Sequence, residues 1–305
     1  MSHSHDHSQS KGLKKRPLLW SVAINLLLSV FQFIAGFISN SSALLADALH
    51  NTNDAAALVV AFGSRKISGK QANARFTFGY RRAELIGAII QLTALIIIGL
   101  FLVYHAVQRF NSPAPIDSHW MILGSTIAIL IDLTTGALLW ATSKGSLNMR
   151  AVMLHNLSDA GSSIAVLAGG IALYFFGWSW IDPVLTLMIA GGIILTSYKL
   201  LMQTSRILME ATPEGVDLSS LKQEAENLTG VKDLHHVHVW EVDEDHRALE
   251  AHVVIHDEIA HRQSVIKSRL KDLFENRFEI SHSTLEFERS SEACRGKSAK
   301  LVAAH

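Results

Sequence analysis

A six-helix membrane protein followed by a small aqueous α+β domain is predicted by three features of this 305-residue sequence. The composition is apolar, with 49% hydrophobic and only 18% charged residues and a mean hydropathy of +0.25. An average soluble domain carries about a quarter charged residues. Six charge-poor runs lie between Leu18 and Met202. From Glu210 onward the composition turns to an ordinary soluble one, rich in His, Glu and Lys.

The six runs fall at about 18–39, 42–63, 83–108, 119–141, 150–175 and 180–203. Each is long enough for a bilayer, which takes roughly 20 apolar residues per helix. The first, LLWSVAINLLLSVFQFIAGFI, carries no charge; it is too long for a signal peptide core and has no small-residue cleavage site after it. The second and fifth are weaker, each holding His and Asp in its N-terminal half. Basic residues flank one side of the bundle: Lys11, Lys14, Lys15 and Arg16, then Arg65, Lys66, Lys70, Arg75, Arg81 and Arg82, then Lys144 and Arg150. The opposite loops are nearly free of them, Arg109 being the exception, so both termini are expected in the cytoplasm.

The aqueous part reads as helix (219–230, closed by Gly230), two paired strands (234–243 and 248–256), a second helix (262–276) and a last strand (283–288). The order αββαβ suits a two-layer α+β domain. The expected organisation is a disordered His-containing N-terminus (1–16), a membrane domain (17–206), a cytoplasmic domain (207–290) and a disordered tail (291–305). Balanced charge, 27 basic against 27 acidic residues, argues against nucleic acid as a partner. The single Cys294 excludes a disulfide framework and a four-cysteine zinc module.

The chemistry sits where the hydropathy falters. Both weak spans contain His-Asn-x-x-Asp: His50, Asn51 and Asp54 in the second, His155, Asn156 and Asp159 in the fifth. Residues four apart share a helix face, so each helix offers an imidazole and a carboxylate in one column. Two facing columns give two nitrogens and two oxygens around one point, a tetrahedral set that suits zinc, with cobalt or cadmium also admitted. A carboxylate at mid-membrane costs about 2.5–3.5 kcal/mol, whereas two aspartates, two neutral imidazoles and one dication sum to zero charge. Ligands must lose protons to coordinate, so a site exposed alternately to each side exchanges metal for protons. Asp47 shares the His50 face and reads either as an outer hydrogen-bond partner of the site or as a helix-packing group. Asn51 and Asn156 are offset by about 100° from their histidines and read as interhelical hydrogen-bonders.

In the aqueous part, strand alternation places His236 and His238 on one face and His235 on the other. These histidines, with His252, His256, His261, His282, Glu286 and Glu288, read either as zinc ligands or as solvated and locally packed side chains. Arg81 and Arg82, in FTFGYRRAE, read as contacts to lipid phosphates.

These residues resemble the cation diffusion facilitators, six-span metal/proton antiporters. The resemblance covers nearly the whole chain and rests on SALLADALHNTNDA in the second span, FTFGYRRAE at 76–84, LHNLSDAGSS in the fifth span and the His-rich tail. It implies a transport site of His50, Asp54, His155 and Asp159, with a zinc-preferring composition. It also implies a ferredoxin-like cytoplasmic domain that forms a homodimer, and regulatory zinc ligands at His235, His252, His261 and Glu286. The length and the short N-terminus are similar to bacterial members, hence the cytoplasmic (inner) membrane. A further metal site that some members carry before the third span is expected to be missing, since Asn73, Phe76 and Tyr80 stand there.

The expected function is therefore a zinc/proton antiporter exporting zinc from the cytoplasm, and not an enzyme. An intramembrane metalloprotease needs His-Glu-x-x-His on one helix, which neither motif provides. A membrane-anchored metal sensor without transport activity is the alternative.

Overall fold

The computed structural model describes residues 15–143, 147–243, 246–291, 293 and 300–302. The N-terminal histidines predicted to be disordered lie outside them. Six long helices come first: α1 (Lys15–Ser39), α2 (Ser42–Ser68), α3 (Ala83–Asn111), α4 (Ser118–Ser143), α5 (Leu147–Phe176) and α6 (Ile181–Leu208). Each is 25 to 30 residues long, or roughly 38–45 Å at 1.5 Å per residue, enough to cross about 30 Å of hydrocarbon. The chain then forms α7 (Leu218–Glu226), β1 (Val231–Asp243), β2 (His246–Ile255), a 3-10 turn (Asp257–Arg262), α8 (Gln263–Phe278) and β3 (Ile280–Arg289). By its contacts the chain divides into two units, residues 1–62 with 90–200 and residues 63–89 with 201–305.

In the first unit, α4 packs along α5 and α1 along α4. Close approach is permitted by small residues, as expected where lipid removes the hydrophobic drive for helix association. A Cβ on Gly124 of α4 would lie 2.8 Å from Leu44 Cδ2, and one on Gly170 of α5 would lie 3.0 Å from Ile122 Cγ1. The core here is Ala35, Ala43, Leu44, Met121, Val166 and Leu185.

One end of this unit is tied by polar groups. Asp182, buried in the first turn of α6, accepts hydrogen bonds from Ser41 Oγ (2.5 Å) and from the backbone N–H of Ser42 (2.9 Å) and Ala43 (3.1 Å). It thereby caps α2 from another helix, satisfying donors that a helix start leaves unpaired. Arg109 Nη2 donates to Asn40 O at 2.8 Å and to Asn40 Oδ1 at 2.5 Å, and Asn40 turns the chain from α1 to α2 with φ 57°. The basic residue that breaks the loop-charge pattern is thus a structural tie.

The second unit has one sheet of order β1-β2-β3, with β1 antiparallel and β3 parallel to β2. Asp217 caps α7 by accepting from the N–H groups of Ser219 and Ser220, both at 3.1 Å. Leu221, Ala225, Ile266, Leu270 and Phe274 from the two helices bury against Leu234, Val237, Val239, Leu249, Ala251 and Val253 of the strands. The pairing of β1 with β2 slips between His235 and His238, a bulge at which His236 takes φ 51°. Of the segment expected to be a disordered tail, Lys300 and Leu301 bond to β1 at this bulge.

The segment before α3 belongs to this unit too. Asn73 Oδ1 accepts from the N–H groups of Arg75 (2.9 Å) and Phe76 (3.1 Å), and its amide donates to Tyr80 Oη at 3.0 Å. Residues that lack zinc-ligand chemistry thus hold this turn by hydrogen bonds. Arg81 meets Asp243 (2.8 Å) and His246, and Arg82 meets Glu210 (2.7 Å). Where the sequence predicts lipid phosphates as partners of the two arginines, carboxylates take that role.

Candidate metal-ion sites

The repeated motif lies on α2 and α5, whose polar residues recur at helical spacing and so line one face. His50 Nε2 of α2 is 3.3 Å from Asp159 Oδ1 of α5, with side chains 28% and 7% exposed. One residue from each copy of the motif is therefore brought together. The side chains of Asp54 and His155 lie outside the described residues; their backbones continue α2 and α5 one turn away. Two donor atoms held about 2.0–2.1 Å from a tetrahedral ion stand roughly 3.3–3.4 Å apart, so the His50–Asp159 separation is that of a tetrahedral edge.

Asp47, one turn before His50 and 1% exposed, is satisfied by two other helices. Gln32 of α1 donates to Oδ2 at 2.6 Å; Ser162 and Ser163 of α5 donate to Oδ1 and Oδ2 at 2.6 and 2.9 Å. Asn51 in turn donates to Gln32 Oε1 at 2.8 Å, the interhelical role predicted for it. These bonds from two neighbouring helices are those of a helix-packing group, the second of the two readings of Asp47. Gln32 was not singled out by sequence, although one amide inside an otherwise apolar span is the signal that marks it.

A cavity of about 720 Å³ opens on His50 and Asp159. Its polar lining comes from Asn53 of α2, Gln91 of α3, Ser158 and Ser162 of α5, and Thr196 and Ser197 of α6. Amide and hydroxyl oxygens there can replace part of the water around an incoming cation.

The second unit gathers a separate group. Ligand atoms of His235, His252 and Glu288 all lie within 4.8 Å of one another. His252 Nδ1 is 2.6 Å from Glu288 Oε1, and His235 Nε2 is 3.6 Å from Glu288 Oε2. His235 Nδ1 lies 2.8 Å from Asp233 Oδ2, which orients the ring and aims Nε2 at the group, where it is buried with no hydrogen-bond partner. An orphaned imidazole nitrogen between a histidine and a carboxylate suits a metal ion. Asp233 also pairs with Lys222. Burial pushes the Asp233 carboxyl up, but the bonds from Lys222 and His235 outweigh it and hold it below the ordinary value of 3.8.

Of the ligands implied for this domain, His235 and His252 are brought together. Glu286 lies 3.4 Å from His252 but is 69% exposed, while Glu288 is 9% exposed. His261, in the 3-10 turn, is exposed and outside the group. The alternation rule that sets His235 opposite His236 fails at the bulge: the two rings lie 5.4 and 4.8 Å from that of His252. One extra residue shifts the facing of everything beyond it.

Comparison with known proteins follows the same division. Residues 18–209 match the family described as "Cation efflux transmembrane domain", and residues 213–290 match "Cation efflux protein, cytoplasmic domain". The chain is 32% identical to a "Cadmium, cobalt and zinc/H(+)-K(+) antiporter" of Bacillus subtilis, over 92% of this chain and 91% of that one. It is 30% identical to the "Metal cation efflux system protein CzcD" of Cupriavidus metallidurans, covering 94% and 89%. It is 31% identical to the "Zinc transporter ZitB" of Pectobacterium atrosepticum, also covering 94% and 89%.

Proposed function

The chain belongs to the cation efflux family, a family of multi-pass membrane transporters, and on that premise we propose that it is a zinc/proton antiporter exporting zinc from the cytoplasm. The relatives' names support divalent-metal efflux with zinc, cadmium and cobalt as cargo. The observation that carries the reading to specific residues is the 3.3 Å approach of His50 to Asp159 across two helices, at the wall of a polar cavity.

In this account zinc is cargo, held by His50, Asp54, His155 and Asp159. Two nitrogens and two oxygens favour zinc, with cadmium and cobalt as lesser substrates. The ion enters from the cytoplasm along the side lined by Asn53, Gln91 and Ser197, shedding water to their oxygens. The helices rearrange to expose the site to the far side, where protons compete for the same imidazoles and carboxylates and release the ion. Asp47 holds α2 against α1 and α5 and so positions His50 without coordinating.

Both termini lie in the cytoplasm in this arrangement, as the basic loops require. The protein acts as a homodimer joined through the cytoplasmic domain, a role supported by the short name of the family that this domain matches, ZT_dimer. Zinc at His235, His252 and Glu288, with Glu286 beside His252 as a further ligand, regulates transport from the cytoplasmic side; His261, implied by the resemblance, is not part of this group.

Everted membrane vesicles test this. With a proton gradient imposed, they are expected to accumulate zinc, and Asp54→Ala and Asp159→Ala to abolish accumulation. Equal uptake by wild type and either variant would overturn the proposal.

A further inference from the structure

The bulge in β1 leaves a backbone feature that β2 cannot satisfy. Along a regular strand successive N–H groups point to opposite sides, one toward each neighbour. Here β1 pairs with β2 at His235 and again at His238, skipping His236 and Val237. The left-handed φ of 51° at His236 turns the chain at that point, and both skipped N–H groups find acceptors outside the sheet. Val237 is 1% exposed, so an unmet donor there would carry a desolvation cost.

The acceptors come from the far end of the chain. His236 N–H donates to Lys300 O at 2.9 Å, and Val237 N–H donates to Leu301 O at 2.7 Å. Leu301 packs against the core that includes Leu234, Val237 and Ile266. The C-terminal segment therefore covers the outer edge of β1, which an unprotected sheet leaves open to pairing with other chains.

The same bulge carries the histidines. His235 is buried beside Glu288, and His236 stacks on His252 with ring centroids 4.8 Å apart. We propose that the outer edge of β1 is a docking surface whose occupant is the chain's own Lys300–Val302 segment, and that this clamp holds the bulge in the shape that lets His235, His252 and Glu288 bind zinc. The second half of this statement rests on the regulatory-zinc reading above; the first does not. Edge occupancy and metal occupancy then favour each other, and releasing the segment both loosens the group and frees an edge strand.

The test uses the full chain carrying Asp159→Ala, so that the membrane site is disabled, against the same chain ending at Ser298 and against full-length Leu301→Asp. Amide hydrogen exchange at His236 and Val237 reads the clamp; zinc titration reads the group. Both altered chains are expected to exchange these two amides faster and to bind zinc about tenfold more weakly, the scale of losing two backbone hydrogen bonds. Unchanged protection of the two amides overturns the clamp. Faster exchange with unchanged zinc affinity overturns the coupling. An intact chain that takes up no zinc in this unit overturns the regulatory reading and the coupling with it, while the exchange data still decide the clamp.

Discussion

Replacing Asp47 with alanine separates a positioning role from a ligand role. The substitution removes the acceptor for Gln32 Nε2, Ser162 Oγ and Ser163 Oγ, bonds of 2.6, 2.6 and 2.9 Å. Interhelical hydrogen bonds in membranes average about 0.6 kcal/mol each, so three amount to roughly 2 kcal/mol. Ser162 loses least, since its hydroxyl also reaches Asp159 O at 2.8 Å. Gln32 loses most, because the amide is fully buried and an unsatisfied buried donor costs about 1–3 kcal/mol. Thermal unfolding of the purified protein should show this loss. Zinc titration should show an unchanged number of sites and an affinity lowered by at most about 30-fold, the roughly 2 kcal/mol of the three lost bonds converted to a binding ratio. Asp47→Asn, which keeps one oxygen acceptor, should recover part of both. Loss of one bound zinc in Asp47→Ala, matching Asp159→Ala, would refute the positioning role and make Asp47 a ligand.

Asp182→Ala removes the acceptor of the Ser42 and Ala43 N–H groups, leaving Ser41 Oγ on Leu44 N–H as the remaining side-chain cap of α2, and should destabilise the protein by about 1–2 kcal/mol, measured as a lower unfolding midpoint; Asp182→Ser, which has no carboxylate to span the two helices, should not restore it. Glu288→Ala should weaken zinc binding in the cytoplasmic domain more than Glu286→Ala does, because only Glu288 is buried against both His235 and His252; titration of the two variants decides it. The Asp233 carboxyl has a lowered pKa in the fold, so its contribution to stability is complete above the ordinary value of 3.8 and is lost as pH falls through the lower folded-state value. Unfolding followed from about pH 7 down to pH 3 should therefore show a steeper loss below about pH 4 for wild type than for Asp233→Asn.

The membrane helices were legible because their signal is crude and strong: a run such as 18–39 has no charge to place in lipid, and the observed helices differ from the predicted runs by at most five residues at either end. The His-Asn-x-x-Asp repeat was legible for the opposite reason, since a buried carboxylate is costly enough to demand a partner. What the sequence concealed depends on packing. Period-two alternation put His235 and His236 on opposite faces, and nothing local announces the bulge that brings both to His252. Glu286 and Glu288 share a strand face and differ only in which one the fold covers. Arg109 looked like an exception to the charge rule until Asn40, whose left-handed turn it holds, was placed beside it.

Transport through this site requires one ion bridging α2 and α5. Zinc-edge anomalous scattering from crystals of the full chain soaked in zinc addresses this directly. The expected result is a peak between the two helices, about 2.0–2.2 Å from one nitrogen each of His50 and His155 and one oxygen each of Asp54 and Asp159. Zinc found in the cytoplasmic domain with none between those helices would contradict it.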